Sequence, residues 1–301
     1  MRTLVAGWFS FQGMGATAGD LMARDLACDW LAEAGHAYDV AVVPPFATPG
    51  GVDWRAADPR EYSHVLFVCG PFGNGPPVDE FLTHFRGRTM VGLDLTMLQA
   101  LDEWNPFDVL FERDSSRACH PDLAFAAPAP RVPVVGVVLV HPQKEYKKTG
   151  LHAVANAAIH RLLNARPCAR VHIDTCLDPW NLYGLRSAAE IEATIAACDV
   201  VVTTRLHGTV LAIKNGVPAL AIDPVAGGAK LARQARVIEW PVVFTADAID
   251  DAKLAEAFDF CLSDPARAAA RQAAARARAD LDAVRSQFVH AMRGGTEPEP
   301  G

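Results

Sequence analysis

Residues 198–223 read CDVVVTTRLHGTVLAIKNGVPALAID. The apolar run from Asp199 to Thr204 predicts a strand, Gly208 to Asn215 a short helix stopped by Gly216, and Ala219 to Asp223 a second strand. Neither run alternates apolar with polar residues, so both strands are expected to be buried on both faces, as in a parallel sheet covered by helices. This single strand–helix–strand unit predicts an α/β fold.

The same alternation extends in both directions. Upstream, Val134–Val140 and Arg170–Asp174 read as strands around a helix at Leu151–Leu163, and Ser187 with Glu190 forms a capping box opening a helix to about Ala197. Downstream, Asp264 followed by Pro265 reads as an N-cap with proline at the first helical position, launching an Ala/Arg-rich helix to about Met292. A Pro/Ala-rich connector at residues 128–133 precedes this half. Ahead of it, Thr3–Gly7, Tyr38–Val43 and His64–Cys69 predict strands, Thr89–Leu95 and Val109–Glu112 weaker ones, and Gly19–Ala34 a helix closed by Gly35. The expected organisation is two Rossmann-like domains, 1–130 and 131–264, a long C-terminal helix over 265–293, and a disordered tail over 294–301.

Composition narrows the function. The chain has 301 residues, 50% of them hydrophobic and 21% charged, the balance of a globular protein with a real core. Lys plus Arg is 28 against 35 for Asp plus Glu, a formal charge of −7, which is the wrong sign for a protein that wraps nucleic acid. The seven cysteines are scattered and lack zinc-ligand spacing, so reduced thiols, no metal and a cytoplasmic location are expected. No apolar run approaches the roughly 20 residues of a membrane-spanning helix, and MRTLVAGWFSFQG is too short for a secretory leader.

In open α/β sheets, ligands sit beyond the carboxyl ends of the strands. Arg205, His207 and Gly208 lie on such a turn, where a guanidinium and an imidazole join the free N–H groups of a helix N-terminus and favour an anion. The same two side chains would also serve as an ion-pair partner and a helix cap. After Asp223, PVAGGAK offers Gly227 and Gly228 for a backbone nest and Lys230 as a point charge, a loop suited to phosphate or simply a turn. Lys144, Lys147 and Lys148 in HPQKEYKKTG add positive potential, and His141 is a second candidate acid. Asp174 and Asp178 would hold a sugar hydroxyl or a base, or equally cap a turn. In the first half, Gly13, Gly15 and Ala18 satisfy G-x-G-x-x-A. A dinucleotide reading is set aside, because WFSFQ intervenes after the strand and Pro44–Pro45 stand where a ribose-binding acid belongs. That loop would instead let a substrate approach Gly19 and Asp20.

The run TTRLHGTVLAIKNGVPALAID with its Lys-bearing loop resembles the polysaccharide pyruvyl transferase family. FERDSSRACHPDLAF, with Arg113, Asp114, Ser116, Pro121 and Asp122, is similar to the family's Arg-Asp-x-x-Ser segment and Pro-Asp pair, and Gly19–Asp20 to its N-terminal Gly-Asp loop. Thr17 and Ala18 stand where the family usually has Asn. The resemblance implies a GT-B-like arrangement of the two domains, with the first facing the acceptor; Gly19, Asp20 and Asp174 are expected on the acceptor side, and Gly208, Gly227, Gly228, Lys230 and Lys144 at the donor or its phosphate. It implies transfer of a pyruvyl group from phosphoenolpyruvate to sugar or glycan hydroxyls as a ketal, catalysed by His207 and Arg205 with no cofactor. A histidine can donate a proton near neutral pH, and Arg205 would grip a carboxylate or phosphate in bidentate fashion. A nucleotide-sugar-dependent GT-B-like glycosyltransferase and a non-catalytic phosphosugar-binding protein fit the same residues, and homo-oligomerisation is left open.

Overall fold

The computed structural model describes residues 1–128, 130–140, 150–177, 179, 181 and 183–293. The chain divides into two compact units, Met1–Pro130 and Arg131–Gly301. The first holds strands β1 (Arg2–Ala6), β2 (Ala37–Val40), β3 (His64–Phe72), β4 (Thr89–Met97) and β5 (Val109–Asp114), with helices α1 (Ala18–Glu33) and α2 (Val78–His84). The second holds β6 (Val134–Val138), β7 (Ala169–His172), β8 (Val200–Thr203), β9 (Ala219–Asp223) and β10 (Val243–Thr245). Its helices are α3 (His152–Asn164), α4 (Ala188–Ala196), α5 (Leu206–Lys214), α6 (Lys230–Val237), α7 (Asp251–Cys261) and α8 (Asp264–Met292).

Both sheets are parallel throughout their paired strands. Their orders are β2-β1-β3-β4-β5 and β10-β9-β8-β6-β7. Numbered within its own unit, the second also runs 2-1-3-4-5 when read from β7, so the order reverses between β1 and β3 in the first unit and between β6 and β8 in the second. Such a reversal leaves a crevice outside the strand ends, because the connections on its two sides leave towards opposite faces.

The central strands of the second unit are fully buried, as their unbroken apolar runs require: Val200, Val201, Val202, Ala219, Leu220 and Ile222 are each 0% exposed. The core of the first unit is aromatic, with Phe11, Trp54, Phe67 and Phe81 joined by ring contacts. Thr17 caps α1, and its partner Asp20 returns a bond to the Thr17 N–H at 2.6 Å. Ser187 caps α4 through Glu190 N, but the Glu190 carboxylate reaches one residue further back, to Arg186 N at 2.6 Å. The long helix starts one residue before the expected position: Ser263 is its cap, Asp264 its first residue and Pro265 its second. Helices α2, α6 and α7 and strand β10 are additions to the pattern read from the sequence. All seven cysteines are free, with Cys28, Cys69, Cys198 and Cys261 buried. No helix among the described residues is long and apolar enough to cross a membrane.

Candidate active site

In the second unit, the crevice at the reversal point holds a cavity of about 190 Å³. Its walls include Val140 after β6, Thr204, Arg205 and His207 after β8, Asp223 and Pro224 after β9, and Lys230 at the start of α6. Three cationic or proton-bearing side chains singled out in the sequence, Arg205, His207 and Lys230, thus meet in one cavity.

Local chemistry explains how the turn is held. Thr203, 0% exposed, donates its hydroxyl to Val138 O at 2.8 Å and accepts from Arg205 N at 2.9 Å, so it fixes the entry to α5. Thr204 Oγ1 accepts from Val140 N at 2.9 Å, tying the β6 and β8 ends together across the crevice. Arg205 is the backbone cap residue of α5, and His207, the second residue of that helix, is exposed at the cavity mouth. A helix N-terminus contributes positive potential at this point.

Several assignments read from the sequence change. Asp174, expected on the acceptor side, follows β7 in the second unit, and its carboxylate pairs with Arg205 Nη1 at 2.5 Å. Arg205 Nη2 reaches Cys176 Sγ at 3.2 Å, and Asn181 Nδ2 holds the carbonyls of Asp174 and Cys176 at 3.1 and 2.7 Å. The guanidinium is therefore clamped from behind by a braced loop. Gly208 is buried and required for packing, because a Cβ there would lie 2.2 Å from Thr203 Oγ1 and 3.0 Å from Val138 Cγ1. Gly227 and Gly228 have the positive φ expected of a nest, 73° and 80°. Their N–H groups are already used, by Asp247 Oδ2 at 3.0 Å and Val225 O at 2.9 Å.

The organiser of that loop is Asp223, 1% exposed, whose carboxylate accepts from Val225 N at 3.1 Å, Ala229 N at 2.7 Å and Ala232 N at 2.9 Å. An internal carboxylate thus occupies the N-terminus of α6, and Lys230 is the basic residue that follows this loop into the cavity wall. The signal for this role was in the sequence, an Asp ending a strand ahead of a Gly-rich turn and a helix. Lys144, its neighbours Lys147 and Lys148, His141 and Asp178 lie outside the described residues.

The first unit has a cavity of about 400 Å³ at its own reversal point, lined by Trp8, Thr17, Asp20, Pro71, Asn74 and Leu98 among others. Asp20 borders it while one carboxylate oxygen serves the α1 cap. Gly19 is not sterically required, since the nearest atom to an added Cβ is Thr17 Oγ1 at 3.6 Å. Close by, Cys69 and Asp94 adopt left-handed backbone angles, φ 62° and 60°, rare for residues with a side chain. The Cys69 thiol is pushed up by burial and by its contact with Asp20, and burial likewise raises the Asp94 carboxyl. Cys69, Asp94 and Asp122 bring ligand atoms within 4.8 Å of one another. Arg113 supplies positive charge to that group, bonding Asp122 at 2.6 Å and approaching Cys69 Sγ at 3.8 Å. Arg113 and Asp122 of the motif segment are thus an internal ion pair braced on Thr96.

Residues 146–224 match the family model described as polysaccharide pyruvyl transferase. No curated protein sequence matches the chain. Among solved structures, the spinosyn forosaminyltransferase SpnP is similar at 14% identity and a TM-score of 0.31, over 91% of this chain and 94% of that one. The glycotransferase of kitacinnamycin is similar at 11% identity and a TM-score of 0.33, over 92% and 95%. The matched segment takes in α3, β7, α4, β8, α5 and β9, so it contains Asp174, Arg205, His207 and Asp223, and over these residues the chain is similar to the polysaccharide pyruvyl transferases.

Proposed function

We propose that the chain is a pyruvyltransferase that moves a pyruvyl group from phosphoenolpyruvate to two hydroxyls of a sugar or glycan. The observation that carries this reading is the cavity shared by Arg205, His207 and Lys230, two of which lie in the matched segment. Phosphoenolpyruvate carries a carboxylate and a phosphate on one carbon, and a cavity lined by Arg205, Lys230 and a histidine suits that pair.

His207 protonates the methylene carbon, which leaves positive charge at the carbon bearing phosphate and carboxylate. One acceptor hydroxyl attacks that carbon, phosphate departs, and a second hydroxyl closes the ketal. Of the two protons lost by the hydroxyls, one replaces the proton that His207 gave to the methyl group and the other leaves with phosphate. A positioned general acid contributes roughly 10²- to 10⁴-fold. Two of the five Arg205 donors go to Asp174 and Cys176, and the remainder bind the donor's anionic oxygens. Lys230 neutralises further charge as phosphate leaves. The scheme uses no resident cofactor, and phosphoenolpyruvate as co-substrate fits a cytoplasmic enzyme.

Thermal-shift measurements with phosphoenolpyruvate, uridine and guanosine diphosphosugars and inorganic phosphate test the donor, because a ligand of the native state raises its melting temperature. Phosphoenolpyruvate is expected to stabilise the protein, and a sugar acceptor panel to gain the mass of a pyruvyl ketal. Stabilisation by diphosphosugars alone, with transfer of a hexose, would replace this reading with the glycosyltransferase one.

A further inference from the structure

Helix α8 has two unlike halves. Its first half packs into the second unit through Ala266, Ala270, Ala273 and Ala274, all buried. The last ties to the body are Arg276 to Glu239 at 3.1 Å and Arg278 to Lys214 O at 3.0 Å. From Ala279 to Arg293 every residue is exposed, and the helix continues to Met292. At 1.5 Å per residue, this free part projects about 20 Å.

The projecting half is not polar all round. Leu281, Val284, Phe288 and Met292 are 62%, 55%, 62% and 72% exposed. The positions 274, 277, 281, 284, 288 and 291 alternate steps of three and four and are all apolar (Ala, Ala, Leu, Val, Phe, Ala), the a/d repeat of a two-stranded coiled coil. The buried seam of the first half therefore runs without a phase break into the exposed seam of the second. At its root the seam borders an apolar groove lined by Val210, Ile213, Ile238, Ala277 and Leu281. A free helix of this length is marginal in water, so the seam calls for a partner.

We propose that the partner is the same helix of a second copy, in parallel, forming a twofold dimer through residues 281–292. Charge chooses this occupant and its direction. In the repeat, Asp280 takes the g position and Arg285 the following e position, which face each other across a parallel pair, giving two Asp280–Arg285 contacts per dimer. In an antiparallel pair that layers Val284 on Phe288, the two Arg285 side chains would meet at the dyad. The polar side carries Asp280 and Asp282 along with Arg285, a mixed face unlike the Lys/Arg-rich face of a membrane-surface helix.

Sedimentation velocity of the full chain over the micromolar range tests the proposal, with a concentration-dependent dimer expected. Phe288→Asp and Leu281→Asp alter exposed positions, so at monomeric concentration each should keep the wild-type melting temperature and circular dichroism, and each should weaken the dimer roughly ten- to a hundredfold. Asp280→Arg and Arg285→Asp should each weaken it, and the double variant should recover it. Val284→Cys should form an intermolecular disulfide under oxidation beyond any background from the exposed Cys119, because only a parallel pair sets position 284 against itself. A monomer at all concentrations, a dimer indifferent to Phe288→Asp, or charge variants without mutual rescue would overturn the proposal. So would a lower melting temperature of Phe288→Asp at monomeric concentration, which would mean that the seam packs on its own chain. Anionic-vesicle binding by a protein that stays monomeric would also overturn it.

Discussion

Gly208→Ala separates a packing role from a ligand-binding one. Alanine in a helix is normally favoured over glycine by about 1 kcal/mol, so a Gly208 that merely faced a ligand would give a variant at least as stable as the wild type. The structure predicts the opposite. An added Cβ would sit 2.2 Å from Thr203 Oγ1 and 3.0 Å from both Thr203 Cβ and Val138 Cγ1. Thr203 cannot swing away cheaply, because its hydroxyl holds Val138 O and receives Arg205 N inside the core. Losing those two bonds costs about 1 kcal/mol each, and forcing a methyl into a packed core about 1–3 kcal/mol. Against the helix-propensity gain, the net destabilisation is about 2–4 kcal/mol, read by urea unfolding. The alternative response is for α5 to shift by about 1 Å, which carries His207 off its position and costs about 10²-fold in turnover. Thr203→Ala removes the closest clashing atom, so Gly208→Ala in that background should cost about 1–2 kcal/mol less than in the wild type. Strictly additive effects, or a Gly208→Ala protein of undiminished stability with only donor affinity lost, would refute the packing argument and return Gly208 to the ligand.

His207→Gln should preserve the fold and phosphoenolpyruvate binding while turnover falls at least roughly 10²-fold, measured by phosphate release with acceptor present; a rate near wild type would move the proton donor elsewhere. Asp174→Ala should weaken donor binding about tenfold or more by releasing the Arg205 guanidinium, with Asp174→Asn recovering part of the loss because it keeps an oxygen for Nη1; equal effects of the two would mean charge alone matters. Asp223→Ala leaves three N–H groups without their carboxylate and should destabilise the protein by about 2–4 kcal/mol in thermal or urea unfolding, whereas near-neutrality would mean that water replaces it. Arg117 hydrogen-bonds the buried Glu112 and, with Ser115, lowers its carboxyl from the ordinary 4.5 to about 2. A depressed carboxyl stabilises the fold above its ordinary value and loses that contribution as pH falls through the folded value. Arg117→Ala should therefore be least stable relative to wild type near neutral pH, and the gap should close between pH 4.5 and 2; a gap independent of pH would remove the ion pair from the explanation.

The fold was legible because hydrophobic runs act locally. Val200–Thr203 and Ala219–Asp223 are strands for reasons contained in their own residues, and the parallel sheet follows from their being apolar on both faces. Helix α6 was harder to see because Lys230–Val237 is short and its N-cap residue, Ala229, has no capping side chain, the Asp223 carboxylate meeting its first N–H groups instead. That Arg205, His207 and Lys230 line one cavity was legible from their places after strand ends, but the bonds each neighbour makes were not. A glycine in a turn reads the same whether it admits a phosphate, adopts positive φ or lets a helix approach a strand; only the 2.2 Å that would separate an added methyl from Thr203 Oγ1 distinguishes the case of Gly208. Asp174 lies 31 residues from Arg205, and nothing local to either declares that they pair. That pairing makes chemical sense of the pocket. An anion site of two unclamped cations would order both side chains only on binding, whereas a guanidinium held by Asp174, Cys176 and the Asn181-braced loop has given up much of that freedom beforehand. The carboxylate subtracts charge from the cavity and adds orientation to the guanidinium that lines it.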